Sequence, residues 1–288
     1  MTSAACEVAL AARPAHPAEG HYCHDMAQRV AVVTGASRGI GQALAERLTS
    51  QGQTVIALAR SRAGLDALSA QTGTIGYVLD VADPAAVAEI VARIISDHGV
   101  PDLLVNNAAL SGGSALTCDL PEADWWRVME VNVRGTQLCT RAVLPGMIAR
   151  GSGRIVNLSS GAATFPIGLD NDGELTSAYM ASKAAVNRFT EAVAGECHAS
   201  GVRVFALSPG MVKTDMTAEV FTDIWDDDDV WTPIERSLDL ICDMDSGLLD
   251  ALSGRYLRAA IDDWRSVAVR ANEVLELDTH VLRLRELP

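Results

Sequence analysis

The segment that most narrows the fold is Thr34-Gly35-Ala36-Ser37-Arg38-Gly39-Ile40-Gly41. It lies between a short apolar run, Val30-Ala31-Val32-Val33, and a stretch of helical period from Ile40 to Gln51. An unbroken apolar run of that length suits a strand buried on both faces of a parallel sheet. Glycines let the chain reverse sharply and let its backbone approach a pyrophosphate. The helix that follows offers free N–H groups and the positive end of its dipole. The glycine pattern alone also describes a tight turn without a ligand. Its place between strand and helix is what points to a dinucleotide.

The alternation continues along the chain. Further strand candidates are Thr54 to Ala59, Ile75 to Leu79, Leu103 to Asn106, Arg154 to Leu158, Val202 to Leu207 and Gly254 to Ala259. Helical patterns fall near 62–71, 84–98, 122–150 and 177–200, and Asp262 to Pro288 also reads as helical, with apolar positions at Trp264, Val267, Val269, Val274 and Leu277. Strands alternating with helices imply right-handed crossovers. The expected fold is α/β, a single doubly wound, Rossmann-like parallel sheet with helices on both faces. Residues 1–28, rich in Ala, Pro and His and without period, read as a flexible arm. Residues 29–260 form the catalytic domain, with a substrate lid at 211–235, and 261–288 a C-terminal helical extension.

Composition excludes several classes. The chain of 288 residues is 49% hydrophobic and carries a formal net charge of -14. That charge argues against nucleic acid and against an anionic membrane surface. No stretch is long and apolar enough to span a bilayer, and residues 1–12 lack the basic leader of a secretory signal. Cys6, Cys23, Cys118, Cys139, Cys197 and Cys242 are scattered. They read as reduced thiols in a cytoplasmic protein. His21, Cys23, His24 and Asp25 fit no closed zinc spacing, so no metal is expected.

The second strand ends Ala57-Leu58-Ala59-Arg60, without the carboxylate that would bond both ribose hydroxyls of NAD. Arg38, in the glycine turn, reaches the same place. Two guanidinium groups there can hold a 2′-phosphate, which favours NADP(H); they also read as ordinary solvated arginines, with Asp66 near enough to pair with one. Asp80-Val81 closes the third strand, where Asp80 can accept from an adenine amino group beside Val81. Asn106-Asn107-Ala108-Ala109 ends the fourth, where side-chain amides tie strands together and line the cofactor cleft.

Tyr179-Met180-Ala181-Ser182-Lys183 opens a helix, and the spacing of Tyr179 and Lys183 places them on one face. A nearby ammonium stabilises a phenolate and lowers the tyrosine pKa from its ordinary value near ~10. Ser159-Ser160 ends the fifth strand. Asn132 lies in a helical stretch, and Pro209-Gly210-Met211-Val212-Lys213-Thr214 follows the sixth strand. In this order, from about Arg29 to Ala260, these segments resemble the short-chain dehydrogenase/reductase family.

The resemblance implies roles. Tyr179 is the general acid in reduction and the base in oxidation. Ser160, with Ser159 as the alternate, bonds the carbonyl oxygen. Lys183 holds ribose and tunes Tyr179, and Asn132 holds a water that relays protons to Lys183. Cofactor contacts fall on Gly35, Ser37, Arg38, Gly39, Ile40, Gly41, Arg60, Asp80, Val81, Asn107, Ala108, Tyr179, Lys183, Pro209, Gly210, Val212 and Thr214, with Thr214 at the nicotinamide carboxamide.

Two departures stand out. Ala109 replaces the family's usual glycine, and the gap from Ser160 to Tyr179 is long. The extra segment, Gly168 to Leu175, carries Asp170, Asp172 and Glu174, at the mouth of the site or simply solvated. In the lid, Met216, Phe221, Trp225 and Trp231 either cover an apolar substrate or pack as helix core. With Asp226 to Asp229 they suggest a neutral ketone, aldehyde or secondary alcohol. A 3-oxoacyl thioester on acyl carrier protein or coenzyme A is the other enzymatic reading, and a non-catalytic dinucleotide-binding sensor a third. The resemblance also implies a homodimer or homotetramer built through the two long helical segments.

Overall fold

The computed structural model describes residues 29–165 and 176–283. The expected N-terminal arm, the His21 to Asp25 fragment and the acidic segment 168–175 lie outside the described residues.

Seven strands form one sheet: β1 (Val30–Thr34), β2 (Thr54–Ala59), β3 (Ile75–Val78), β4 (Leu103–Asn106), β5 (Gly153–Leu158), β6 (Val202–Ser208) and β7 (Tyr256–Arg258). All pairs are parallel, in the order β3-β2-β1-β4-β5-β6-β7. The connecting helices are α1 (Gly39–Ser50), α2 (Arg62–Thr72), α3 (Pro84–His98), α4 (Glu122–Met129), α5 (Thr136–Arg150), α6 (Ser177–Glu196), α7 (Asp215–Ala218), α8 (Ile234–Ser246), α9 (Trp264–Val269) and α10 (Ala271–Glu276).

Strand side chains alternate between the faces, so each strand feeds two cores. Ala31 and Val33 of β1 join Leu44 and Leu48 of α1, Leu65 of α2 and Leu238 of α8. Val30 and Val32 join Val87 and Val91 of α3, Val143 of α5 and Val193 of α6. Both faces are therefore covered, as apolar parallel strands require. The chain winds outward from β1 to β3 and then returns to β4 beside β1. That reversal opens a crevice at the carboxyl ends of β1 and β4, where ligands bind in such sheets.

Local signals set most boundaries. Asp83 caps α3 by accepting from Ala85 N and Ala86 N (2.9 and 3.1 Å), and Pro84 occupies its first turn. The helical segment expected at 122–150 is continuous in direction but contains a π-helical stretch, Glu130–Gly135, between α4 and α5. Gly135 permits it, because a Cβ there would lie 2.7 Å from Val81 Cγ2. The last strand is shorter than the run Gly254 to Ala259 because Gly254, at φ +89°, turns the chain first. The extension carries two short helices, α9 and α10, separated at Arg270. The break resets the helical phase, which leaves Val269 and Leu277 exposed while Trp264 and Val274 are buried.

Candidate active site

A cavity of about 650 Å³ runs along the carboxyl ends of the strands. Gly35, Ser37, Arg38, Gly39, Ile40, Arg60, Asp80, Val81, Asn107, Ala108, Pro209, Gly210, Val212 and Thr214 line it, with Ser160, Tyr179 and Lys183. Gly41 and Asn132 stand behind the wall. Gly35 needs its glycine because φ is +66° and a Cβ would sit 2.9 Å from Ala108 Cα. At Gly41 a Cβ would meet Asn107 Nδ2 at 2.4 Å and Gly35 O at 2.5 Å. The turn is thus flush against the end of β4, and Asn107 holds it by donating from Nδ2 to Thr34 O (2.8 Å). Asn106 does the tying between strands, through Asn157 Oδ1 (2.8 Å) and Thr140 Oγ1 (3.1 Å). This bare backbone beside the N-terminus of α1 fits a pyrophosphate.

On the cavity wall, Arg38 pairs with Asp215 at 3.1 Å, both side chains being more than half exposed. Asp66 pairs with Arg62 at 3.9 Å, so it ties neither Arg38 nor Arg60. Asp80 lies just past the end of β3. Its Oδ1 accepts from Ala82 N (3.0 Å) and its Oδ2 from Arg127 Nη2 (2.5 Å). Desolvation raises the Asp80 carboxyl, but these bonds and the Arg127 charge outweigh it and hold the pKa below the usual value.

At the chemical end, α6 begins at Thr176, whose side chain accepts from Tyr179 N (3.3 Å) and donates to Ser111 O (3.0 Å). Tyr179 and Ser160 both line the cavity. Ser160 Oγ accepts from Ala162 N (3.2 Å), which leaves the hydroxyl hydrogen to donate elsewhere. Ser159 is buried and donates to Lys183 O (3.3 Å), so of the two serines Ser160 is the one free to meet a substrate.

Lys183 is buried, donates to Leu158 O at 2.8 Å and lies 5.6 Å from the centroid of the Tyr179 ring. Burial pushes its ammonium down to about 8. Desolvation pushes the Tyr179 phenol above its usual value, offset in part by Ser160. The lowering of Tyr179 expected from Lys183 thus gives way to burial. Asn132 Nδ2 donates to Leu110 O and Ser182 Oγ (both 2.9 Å), and its Oδ1 accepts from Leu110 N (2.8 Å). Both amide hydrogens are engaged, so the side chain ties the β4 loop to α6.

Residues 29–225 match the family model for short chain dehydrogenase. The chain belongs to the short-chain dehydrogenase/reductase family. A short chain dehydrogenase of Pseudocercospora fijiensis is 38% identical over 196 residues, covering 66% of this chain and 62% of that protein. The chain thus spans less than two thirds of that relative's length. The 3-oxoacyl-[acyl-carrier-protein] reductase of Haemophilus influenzae is 36% identical over 200 residues, covering 69% of this chain and 79% of that one. The solved structure of actinorhodin polyketide ketoreductase with NADPH superposes with TM-score 0.71 at 31% identity, covering 81% of this chain and 96% of the other. As a member of this family the chain is an oxidoreductase of CH–OH and keto groups.

The segment 211–235, expected to be a lid, divides its apolar residues between both readings. Met216, Val220 and Phe221 line the cavity. Trp225 and Trp231 instead pack edge to face, 5.1 Å apart, with Lys213 Nζ 5.6 and 5.7 Å from their rings. Asp228 in the acidic run pairs with the same lysine at 2.6 Å. Sequence reasoning missed Arg127, Thr176, Tyr256 and Arg258. Arg127 holds Asp80, Thr176 caps the helix of Tyr179, Tyr256 touches Ser160, and Arg258 lines the cavity. Only Thr176 left a trace in the sequence, as a cap-type residue three positions before Tyr179.

Proposed function

We propose that the chain is an NADP(H)-dependent oxidoreductase that interconverts a ketone or aldehyde and its alcohol. The observation that carries this reading is the convergence of Ser160, Tyr179 and Lys183 on one cavity that also holds the bare glycine turn, Arg38 and Arg60. When bound, the dinucleotide supplies or accepts the hydride. The Tyr179 phenol, kept protonated by burial, donates its proton to the carbonyl oxygen in reduction. Ser160 donates a hydrogen bond to the same oxygen, stabilising the developing alkoxide. Lys183 holds ribose hydroxyls, and Thr214, which caps α7, lies against Gly39 where the nicotinamide end of the cleft begins. Arg38 exchanges its exposed partner Asp215 for a 2′-phosphate, and Arg60 completes the clamp.

Tyr179→Phe is expected to lose about 100-fold or more in kcat while binding NADPH as the wild type does. Undiminished turnover overturns the assignment. Arg38→Ala and Arg60→Ala should each raise KM for NADPH about tenfold and leave NADH unchanged. Equal effects on the two nucleotides would remove the case for the 2′-phosphate.

The similarity to 3-oxoacyl-[acyl-carrier-protein] reductases favours a second reading, reduction of a 3-oxoacyl thioester. A panel of neutral ketones assayed beside a 3-oxoacyl coenzyme A decides between them. Free thiols at Cys118, Cys139, Cys197 and Cys242 support a cytoplasmic setting. Exposed Trp126 and Ile148 on α4 and α5 support self-association through these helices, read by size-exclusion chromatography.

A further inference from the structure

β7 lies beyond the residues that the family model matches, yet it reaches the chemical centre. Tyr256 pairs with Ala206 of β6, and its buried phenol crosses to the end of β5. There its hydroxyl donates to Ser160 O at 2.9 Å. The same carbonyl accepts from Ala163 N at 3.1 Å, while Ser160 Oγ accepts from Ala162 N at 3.2 Å. Ser160 is therefore held in a short turn whose carbonyl has two donors, one from the turn itself and one from a distant strand.

Tyr256 is itself fixed from outside. Its N–H donates to His280 O at 2.8 Å. The preceding Arg255 pairs with Asp278 at 3.0 Å and bonds Thr279 O at 3.1 Å. Arg283 then joins Asp278 to Glu191 on α6, the helix that carries Tyr179 (both 2.6 Å). The C-terminal segment thus braces the strand of Tyr256 against the helix of Tyr179.

We propose that Tyr256 is a positioning residue for the proton-donating pair: by holding the Ser160 carbonyl it fixes the direction in which the Ser160 hydroxyl donates. The role rests on the reading of Ser160 and Tyr179 as that pair. The Ser160 side chain and carbonyl belong to one residue of one turn, so a rotation of the peptide swings the hydroxyl with it. A displacement of a fraction of an ångström in a donor is enough to reduce its bond to a developing oxyanion.

The test is a cycle of variants assayed with NADPH and the best ketone of the panel. Tyr256→Phe keeps the ring and removes only the hydroxyl. It should lower kcat about tenfold, since small misplacements of a catalytic group carry penalties of that order, with NADPH affinity and Tm little changed. In a Ser160→Ala background the same change should cost less than about twofold, because the group it positions is gone. Unchanged kcat in the single variant, or the same loss in both backgrounds, overturns the proposal. Tyr256→Leu supplies a control independent of the residual activity of Ser160→Ala. A loss equal to that of Tyr256→Phe supports the hydroxyl, and a loss confined to Tyr256→Leu assigns Tyr256 to packing alone and overturns it. Full turnover in Tyr179→Phe would instead remove the reading of the site itself.

Discussion

At the scale of single residues, Tyr179 and Lys183 are tuned by burial more than by one another. Lys183 is cationic below its pKa, and burial lowers that pKa from 10.5 to about 8. Its charge is therefore present at pH 7 and lost as the pH rises through about 8. Tyr179 shifts the other way and stays protonated across that range. Any step that uses the ammonium should fall on the alkaline side, so reductive kcat/KM is expected to decline above about pH 8, approaching tenfold per pH unit. In Lys183→Arg, whose guanidinium does not titrate, the residual activity should lose that limb. A wild-type profile flat to about pH 9.5 would show that Lys183 keeps its proton. The spacing of Tyr179 and Lys183 on one helix face was legible in the sequence, and so were Arg38 and Arg60. The direction of the Tyr179 shift was not, because it depends on how much of the phenol the fold desolvates. Arg127 and Tyr256 were illegible for a related reason: each acts on a residue far away in the chain, and no local pattern marks it.

At the scale of elements, the turn between β1 and α1 carries the tightest steric demand. Gly41 sits on α1 with Asn107 Nδ2 and Gly35 O closer than a Cβ tolerates. Gly41→Ala must push α1 away from β4 or break the bonds from Asn107 to Thr34 O and Gly35 O. Overpacking of this kind costs about 1–3 kcal/mol, and here the strain falls on the turn that faces the pyrophosphate. The expected result is a loss of NADPH affinity of about tenfold or more with the Tyr179 chemistry intact in bound enzyme. Calorimetric titration with NADPH checks it, and wild-type affinity would show that the turn tolerates the methyl group. The order of the strands, and of the helices other than α7 and α8, was readable from apolar runs and helical period, and the span 84–98 matches α3 to the residue. The π-helical stretch at Asn132 was not readable. Its sequence, Glu130 to Gly135, has ordinary helical composition, and the added residue in the turn is set by Val81 lying against Gly135. The helical character of the extension was readable from its apolar spacing, but the break at Arg270 between α9 and α10 was not.

At the scale of the molecule, the C-terminal segment covers the edge of the sheet that carries Tyr256, whose hydroxyl donates to Ser160 O. β7 pairs with β6 on one side; on the other, Tyr256 N donates to His280 O (2.8 Å) and Arg258 N to Asp262 Oδ2 (2.7 Å). An uncovered strand edge offers free N–H and C=O groups to any other chain. Trp264, Ala271 and Val274 bury themselves in the core that also contains α8, and Trp264 Nε1 donates to Asp243 Oδ2 at 2.8 Å. Burial of a large apolar side chain contributes about 1.5–3 kcal/mol, so removing Trp264 and Val274 together costs roughly 3–6 kcal/mol before the ion pairs are considered. Total stabilities of domains are about 5–15 kcal/mol. A chain ending at Ala260 is therefore expected to melt at least about 10 °C lower than the full chain and to associate through its exposed edge. Thermal denaturation and light scattering measure the two effects. If the shortened chain melted within a few degrees of the full one and stayed dispersed, the segment would not be part of the folded core. Restoring the segment in trans, as a separate peptide of residues 261–288, should recover part of the Tm. It should also recover turnover, because the peptide returns His280 O to Tyr256 and with it the brace behind Ser160.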